Sequence, residues 1–313
     1  MTTNNRDADV RQISGELAAT GPVAIYSSPK ALNSSRKKVR VHHLQRMKKR
    51  GRKIVAVTCY DATFARLVDA SAVDVVLVGD SLGNVVQGQE STLPVTVEDI
   101  IYHTRAVARG LQTPHLVADM PFMSYRSVDV ALHNAGRLLA EGRAHAVKLE
   151  GGFTDVARAL VAHGIPVMGH VGLTPQFVHA MGGHRVQGKT KSAQQRIRSE
   201  ALALQDAGCY AIVLEGVPAG LAAALSDELE IPTIGIGAGA GCDGQILVLY
   251  DMLGLNPDFT PKFLRRFGEL GHATIEALNA YSEDVRGGAF PAPEHEYSGA
   301  RAETEPALVA VEA

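Results

Sequence analysis

Apolar residues fall in short bursts along most of this chain, at 54–59 ("IVAVTC"), 73–80 ("VDVVLVGD"), 115–119 ("HLVAD") and 146–150 ("AVKLE"). Further bursts at 165–170 ("IPVMGH"), 211–215 ("AIVLE"), 231–236 ("IPTIGI") and 246–250 ("ILVLY") bring the number to eight. Near-continuous apolar runs predict strands covered on both faces, as in an all-parallel sheet. Between most of them the spacing becomes helical, over Thr96–Arg109, Ser127–Gly142, Thr154–His163, Ser192–Ala207 and Pro218–Glu230. Several of these stretches close on glycine just before the next strand ("ARG", "AEGRAH", "AHGIP", "DAGCY"), as helix C-caps do. Eight strands alternating with helices over about 210 residues fit a (β/α)8 TIM barrel in count and size. The competing architecture is an open doubly wound sheet, but its G-x-G-x-x-G fingerprint does not follow the first strand. The glycine-rich "GIGAGAG" at 235–241 follows the seventh strand instead, where a barrel can place a ligand-facing loop or simply turn the chain.

The segments outside this pattern read differently. Residues 1–36 are polar and mixed and are expected to form a mobile N-terminal arm; 37–285 form the barrel; 286–313, rich in Pro, Ala and Glu, form a C-terminal tail. The basic stretch Arg36–Lys53 predicts a short helix before the first strand, with Val41, Leu44 and Met47 turned toward the core and the charges toward water. A nucleic-acid patch is the other reading of that stretch. A formal net charge of -2 and a pI near 6.6 supply no global field for nucleic acid or an anionic membrane. Cys59, Cys209 and Cys242 are too few and too scattered for a disulfide framework or a zinc pattern, which fits a reducing compartment. With no long apolar span and no leader-like start, the expected location is cytoplasmic.

Ionisable residues collect at the C-terminal ends of the predicted strands, where barrel enzymes carry their chemistry. Asp80 and Ser81 end the second strand, Asp119 the third, Lys148 and Glu150 the fourth, His170 the fifth and Glu215 the sixth. Lys148 and Glu150 stand two apart and share a face. Val147 and Leu149 take the opposite, helix-facing side, so the charged face is the barrel interior. Charges there need a counter-ion, each other or a ligand. Asp80, Asp119 and Glu150 are hard oxygen donors from three neighbouring strands, a set that suits Mg2+; a buried salt-bridge network around Lys148 is the alternative. His170 could equally be a rim histidine, and Glu215 a salt-bridge partner near the mouth.

Longer strings carry a resemblance. "VGDSLGNVVQGQESTLPVT" (78–96), "ADMPFMSY" (118–125), "AVKLEGG" (146–152) and "GHVGLTPQ" (169–176) resemble the ketopantoate hydroxymethyltransferase family. So do "GGHRVQGK" (182–189), "IVLEGVP" (212–218), "IPTIGIGAG" (231–239) and "DGQILVLYDMLG" (243–254), in the family's order, from about Thr58 to Pro293. The resemblance implies a TIM barrel of the phosphoenolpyruvate/pyruvate type. Its implied reaction transfers a hydroxymethyl group from 5,10-methylenetetrahydrofolate to 3-methyl-2-oxobutanoate through a Mg-stabilised enolate. The product is 2-dehydropantoate, on the way to pantothenate and coenzyme A. By the same resemblance the Mg2+ ligands fall on Asp80, Asp119 and Glu150. Substrate binding falls on Asp80, Ser81, Asp119, Lys148 and His170, and the base on Glu215. "GGHRVQG" and the "GIGAG" loop are candidates for the folate. Partners are then small molecules, with neither nucleic acid nor membrane, in a homo-oligomer (pentamer or decamer). Rival readings are a Lys148 Schiff-base aldolase, a C–C lyase of the isocitrate lyase or phosphoenolpyruvate mutase type, and a non-catalytic barrel that senses folate or a keto acid.

Overall fold

The computed structural model describes residues 36–297. Eight parallel strands close into one barrel in sequence order: β1 Ile54–Thr58, β2 Val75–Val78, β3 His115–Asp119, β4 Ala146–Lys148, β5 Val167–Gly172, β6 Ala211–Glu215, β7 Thr233–Ile236 and β8 Gly244–Leu247. β8 pairs back onto β1, with Ala56 beside Ile246. The helix ahead of the barrel, α1 (Val41–Lys49), buries Leu44 and Met47 as its pattern predicts. The expected arm lies, apart from Arg36, outside the described residues, and so does the end of the tail. Arg36 itself is tied to the barrel, donating to the Ser71 carbonyl at 2.6 Å and to Asp74 at 3.2 Å.

Two apolar layers follow from the period of two along each strand. Ile54, Ala56, Val75, Leu77, Val117, Ala146, Met168, Ala211, Val213, Ile234 and Ile246 fill the interior, and Leu44 and Met47 of α1 plug its N-terminal end. The alternate residues Val57, Val76, Val78, Leu116, Ala118, Val147, Leu149, Ile212 and Leu214 pack outward against the helices. Those helices are α2 (Ala62–Asp69), α4 (Val97–Gly110), α5 (Val128–Ala140), α6 (Thr154–Ala162), α7 (Lys191–Asp206) and α8 (Ala219–Glu228), with a short α3 (Leu82–Val85) after β2. Their starts are local: Thr96 accepts from Asp99 N–H at 3.1 Å while Asp99 accepts from Thr96 N–H at 2.9 Å, a capping box that sets the first turn of α4.

The last quarter departs from strict alternation. Strand β8 begins at Gly244 and ends at Leu247, earlier than the 246–250 apolar run suggests. Leu249 N–H then donates to Thr58 Oγ1 at 3.0 Å and opens a short helix, α9 (Leu249–Met252). Residues 237–243 connect β7 to β8 without a helix. This segment lies on α8 so closely that a Cβ on Gly241 would come within 2.7 Å of the Ala223 methyl, and Gly239 faces Ala219 in the same way. Close packing therefore accounts for these glycines of the "GIGAGAG" stretch. The helix after β8, α10 (Leu270–Gly287), buries none of its residues, and on the barrel wall it would cover, Val55 of β1 is 46% exposed. No helix among the described residues is long and apolar enough to cross a membrane.

Candidate functional site

Strand parity carries the predicted charges inward. Asp119 shares the interior face with Val117, Lys148 with Ala146, His170 with Met168, and Glu215 with Val213. The register sets Asp119 beside Lys148 and Gly172 beside Glu215. Glu150 lies two residues past the end of β4 and keeps the parity of Lys148. His170 sits inside β5, which continues to Gly172, rather than at its end. Asp80 arrives by another route. It shares the parity of the outward Val76 and Val78, but β2 stops at Val78 and the chain turns at Gly79, so the Asp80 N–H donates to Asp119 Oδ2 at 3.2 Å. Ser81 immediately precedes α3, and its Oγ is 2.8 Å from the Tyr60 hydroxyl. Gly172 has φ +99°, and a Cβ there would strike the Glu215 carbonyl oxygen, so only glycine lets β5 leave the barrel this close to β6.

These side chains form one connected cluster. Lys148 Nζ lies 3.0 Å from Asp119 Oδ1 and 3.4 Å from both Glu150 Oε1 and His170 Nδ1. His170 spans from Glu150, 3.2 Å from its Nδ1, to Glu215, 3.3 Å from its Nε2. Asp80, Asp119, Lys148, Glu150 and His170 are all buried, whereas Glu215 keeps 22% of its side chain exposed at the mouth. Burial opposes the charge on Lys148, but Asp119, Glu150 and Asp80 outweigh it and hold the ammonium. Burial also opposes ionisation of Glu150, yet Lys148 and His170 bring it down to about 2. His170 is drawn up to about 9 by Glu150 and Glu215, against burial and Lys148. Lys148 and His170 do not neutralise the four acids of the cluster: burial, then Asp119 and Glu150, push Asp80 well above the usual carboxylate range, and burial raises Asp119 as well.

Two further side chains belong to the cluster, and the sequence assigned them no role. Gln176 and Tyr125 lie inside the quoted "GHVGLTPQ" and "ADMPFMSY" strings. The Gln176 amide donates to Asp80 Oδ2 at 2.8 Å and accepts from the Tyr125 hydroxyl at 2.6 Å. Their only sequence signal was membership of those strings, because a buried amide has no period or charge to mark it.

Among the described residues, no three His, Cys, Asp or Glu side chains are gathered, as they stand, into a set that could hold a metal ion. The donor chemistry nonetheless fits a hard divalent cation: carboxylate oxygens only, in excess over the cations present. Asp119 Oδ1 is buried without a hydrogen-bond partner, its contact with Lys148 being outside hydrogen-bonding geometry. "GGHRVQGK" forms a loop between β5 and α7, in which Val186 is 48% exposed and the Gln187 N–H donates to the carbonyl of Gly216, next to Glu215, at 2.9 Å.

Comparison with known proteins bears on the family and the fold. The profile described as "Ketopantoate hydroxymethyltransferase" matches residues 38–293, starting some way before the Thr58 at which the resemblance was expected to begin. A 3-methyl-2-oxobutanoate hydroxymethyltransferase of Anaeromyxobacter sp. (strain Fw109-5) is 56% identical over 279 residues, covering 87% of this chain and 92% of that protein. Its counterpart in Pelobacter propionicus is 53% identical over 270 residues, covering 85% and 100%. Among solved structures, phosphonopyruvate hydrolase in complex with oxalate and Mg++ superposes with a TM-score of 0.54 at 14% identity, over 82% of this chain and 93% of that one. The trigonal form of 2,3-dimethylmalate lyase, a PEP mutase/isocitrate lyase superfamily member, gives 0.53 at 18% identity, over 82% and 88%. At such identities these likenesses bear on the fold alone. The family match and the close relatives bear on more: this chain belongs to the ketopantoate hydroxymethyltransferase family and is a hydroxymethyltransferase.

Proposed function

We propose that the chain transfers a hydroxymethyl group from 5,10-methylenetetrahydrofolate to 3-methyl-2-oxobutanoate, giving 2-dehydropantoate for pantothenate and coenzyme A synthesis. The observation that carries this reading is the excess of buried carboxylate at the barrel mouth, where Asp119 Oδ1 accepts no hydrogen bond and has only the Lys148 ammonium beside it, next to a partly exposed acid, Glu215. Asp80, Asp119 and Glu150 would hold Mg2+. Once bound, that ion supplies Lewis acidity toward the keto oxygen and charge compensation for the electrons displaced from C3.

The remaining steps belong to the chain's own groups. Ser81, steadied by Tyr60, orients the substrate carboxylate. Glu215 removes the lone C3 proton. Water breaks the two C–N bonds of the folate's methylene bridge, leaving its oxygen on that carbon and its protons on the two folate nitrogens. C3 then bonds to the released carbon, whose oxygen takes up a proton to become the hydroxyl. Lys148, kept as an ammonium by its neighbours, donates to the new hydroxymethyl oxygen, and His170 links it to Glu215. The same protonation disfavours a Schiff base, because a protonated lysine is no nucleophile. Residues 37–285 are taken as the catalytic unit.

Incubation with both substrates and Mg2+, followed by product mass analysis, tests the reaction. Glu215→Gln tests the base: exchange of the C3 proton with deuterated water should be abolished while metal and keto acid still bind. Exchange at the parental rate would exclude Glu215 as sole base. Borohydride trapping of a keto-acid adduct would favour the aldolase instead. A homo-oligomer, pentamer or decamer, belongs to the same proposal and is supported by the unburied helix α10.

A further inference from the structure

Gln176 occupies a position that the proposed chemistry leaves without a task. It is 2% exposed, in a 3-10 turn (Pro175–Phe177) that follows β5. Its amide nitrogen donates to Asp80 Oδ2 at 2.8 Å and to the Met120 carbonyl at 3.0 Å. The amide oxygen accepts from Tyr125 at 2.6 Å. A carbonyl can only accept, so Met120 fixes which end of the amide is nitrogen, and Tyr125 locks the other. The backbone N–H of the same residue donates to Glu150 Oε2 at 3.0 Å. Asp80 follows β2 and Glu150 follows β4, so one residue from a third strand's loop bonds to both carboxylates. It occupies one oxygen on each, and the second oxygen of Glu150 faces Lys148 and His170.

We propose that Gln176, braced by Tyr125, is a positioning residue: it clamps one oxygen of Asp80 and one of Glu150, and so fixes the separation and aim of two carboxylates that would hold a divalent cation. This rests on the metal-dependent reading given above. Groups that orient ligands act through affinity, and losing one costs roughly 10- to 100-fold in metal binding or activity. Burying an amide with all its partners satisfied also has a purely structural use, so the deciding measurement is metal affinity in a protein that remains folded.

The experiment titrates Mn2+ against the full chain by electron paramagnetic resonance, for the parent, Gln176→Met and Tyr125→Phe. Methionine keeps the side chain's length and removes the donor to Asp80 and the acceptor for Tyr125, leaving the backbone N–H on Glu150 and so testing the Asp80 arm of the clamp. Phenylalanine removes the Tyr125 hydroxyl, which braces the amide and lies 3.3 Å from the Glu150 carbonyl. The expected result is a loss of Mn2+ affinity of roughly 10- to 100-fold for Gln176→Met and a smaller loss for Tyr125→Phe, both with parental circular dichroism. A folded Gln176→Met that binds Mn2+ as tightly as the parent overturns the proposal. If Gln176→Met does not fold, Tyr125→Phe decides, and unchanged affinity there overturns it equally. A parent that binds no Mn2+ sinks the metal reading itself, and this proposal with it; variants unaffected beside a parent that binds sink only the role of Gln176.

Discussion

Burial, then Asp119 and Glu150, oppose a charge on Asp80 in the metal-free fold, so ionising it costs stability. Its folded pKa lies above the unfolded value of 3.8, so the contribution of this group to stability is fully present below 3.8 and is lost as pH rises through the folded pKa. At pH 7, Asp80→Asn should therefore raise the melting temperature of the metal-free protein, by about 2–4 °C for each kcal/mol relieved. Turnover should fall by at least about 100-fold, the loss that follows when several kcal/mol of charge stabilisation is removed. Calorimetry beside a product assay reads both, and a lowered melting temperature would contradict the account of Asp80. Chelation of divalent metal belongs to the same scale: activity should vanish with EDTA and return with Mg2+, whereas activity that survives chelation would remove the reason for three acids.

At the scale of elements, the opposite end of the barrel holds two neutral histidines. His115 opens β3 and His145 immediately precedes β4; their rings stack 5.6 Å apart. The Leu116 N–H donates to His145 Nδ1 at 3.0 Å, which a proton on that nitrogen would break. Burial, then His145 and Lys38, lowers His115 to about 3; burial, then Lys38 and Arg40, lowers His145 to about 4. Both folded values lie below the unfolded 6.5, so the unfolded chain takes up these protons first. The stability they contribute is full above pH 6.5 and lost as pH falls toward 4 and then 3. Urea midpoints should thus fall across that window, and His145→Asn, which keeps an acceptor for Leu116 but cannot titrate, should flatten the fall. An equal slope in parent and variant would count against His145 as a source of the acid lability.

Considered whole, the molecule leaves α10 uncovered, with Ile275, Leu278 and Tyr281 each more than half exposed along 18 residues. A helix of this composition is stabilised by burying its apolar stripe rather than by propensity alone. Where it would sit on its own barrel, Val55 is exposed too. Association of identical copies covers both surfaces and agrees with the homo-oligomer proposed for this chain. Light scattering should then give a mass several times that of one chain, and Ile275→Asp with Leu278→Asp should reduce it. A parental protein that elutes as a monomer would contradict this.

Much of this protein is legible in its sequence because period is a local property. The bursts of apolar residues located the strands, five of the helices between them were placed to within two residues, and parity directed Lys148 and Glu150 inward. What the sequence left open depended on contacts between distant segments. Parity would send Asp80 outward with Val78; it joins the cluster because β2 ends there and Asp119 on the next strand accepts its N–H. The tertiary structure likewise assigned Gln176 and Tyr125 their work, since a buried amide's value depends on which acceptors and donors the fold brings to it. It also showed what Gly239 and Gly241 of the glycine-rich stretch lie against, α8, because glycine marks close approach without saying to what.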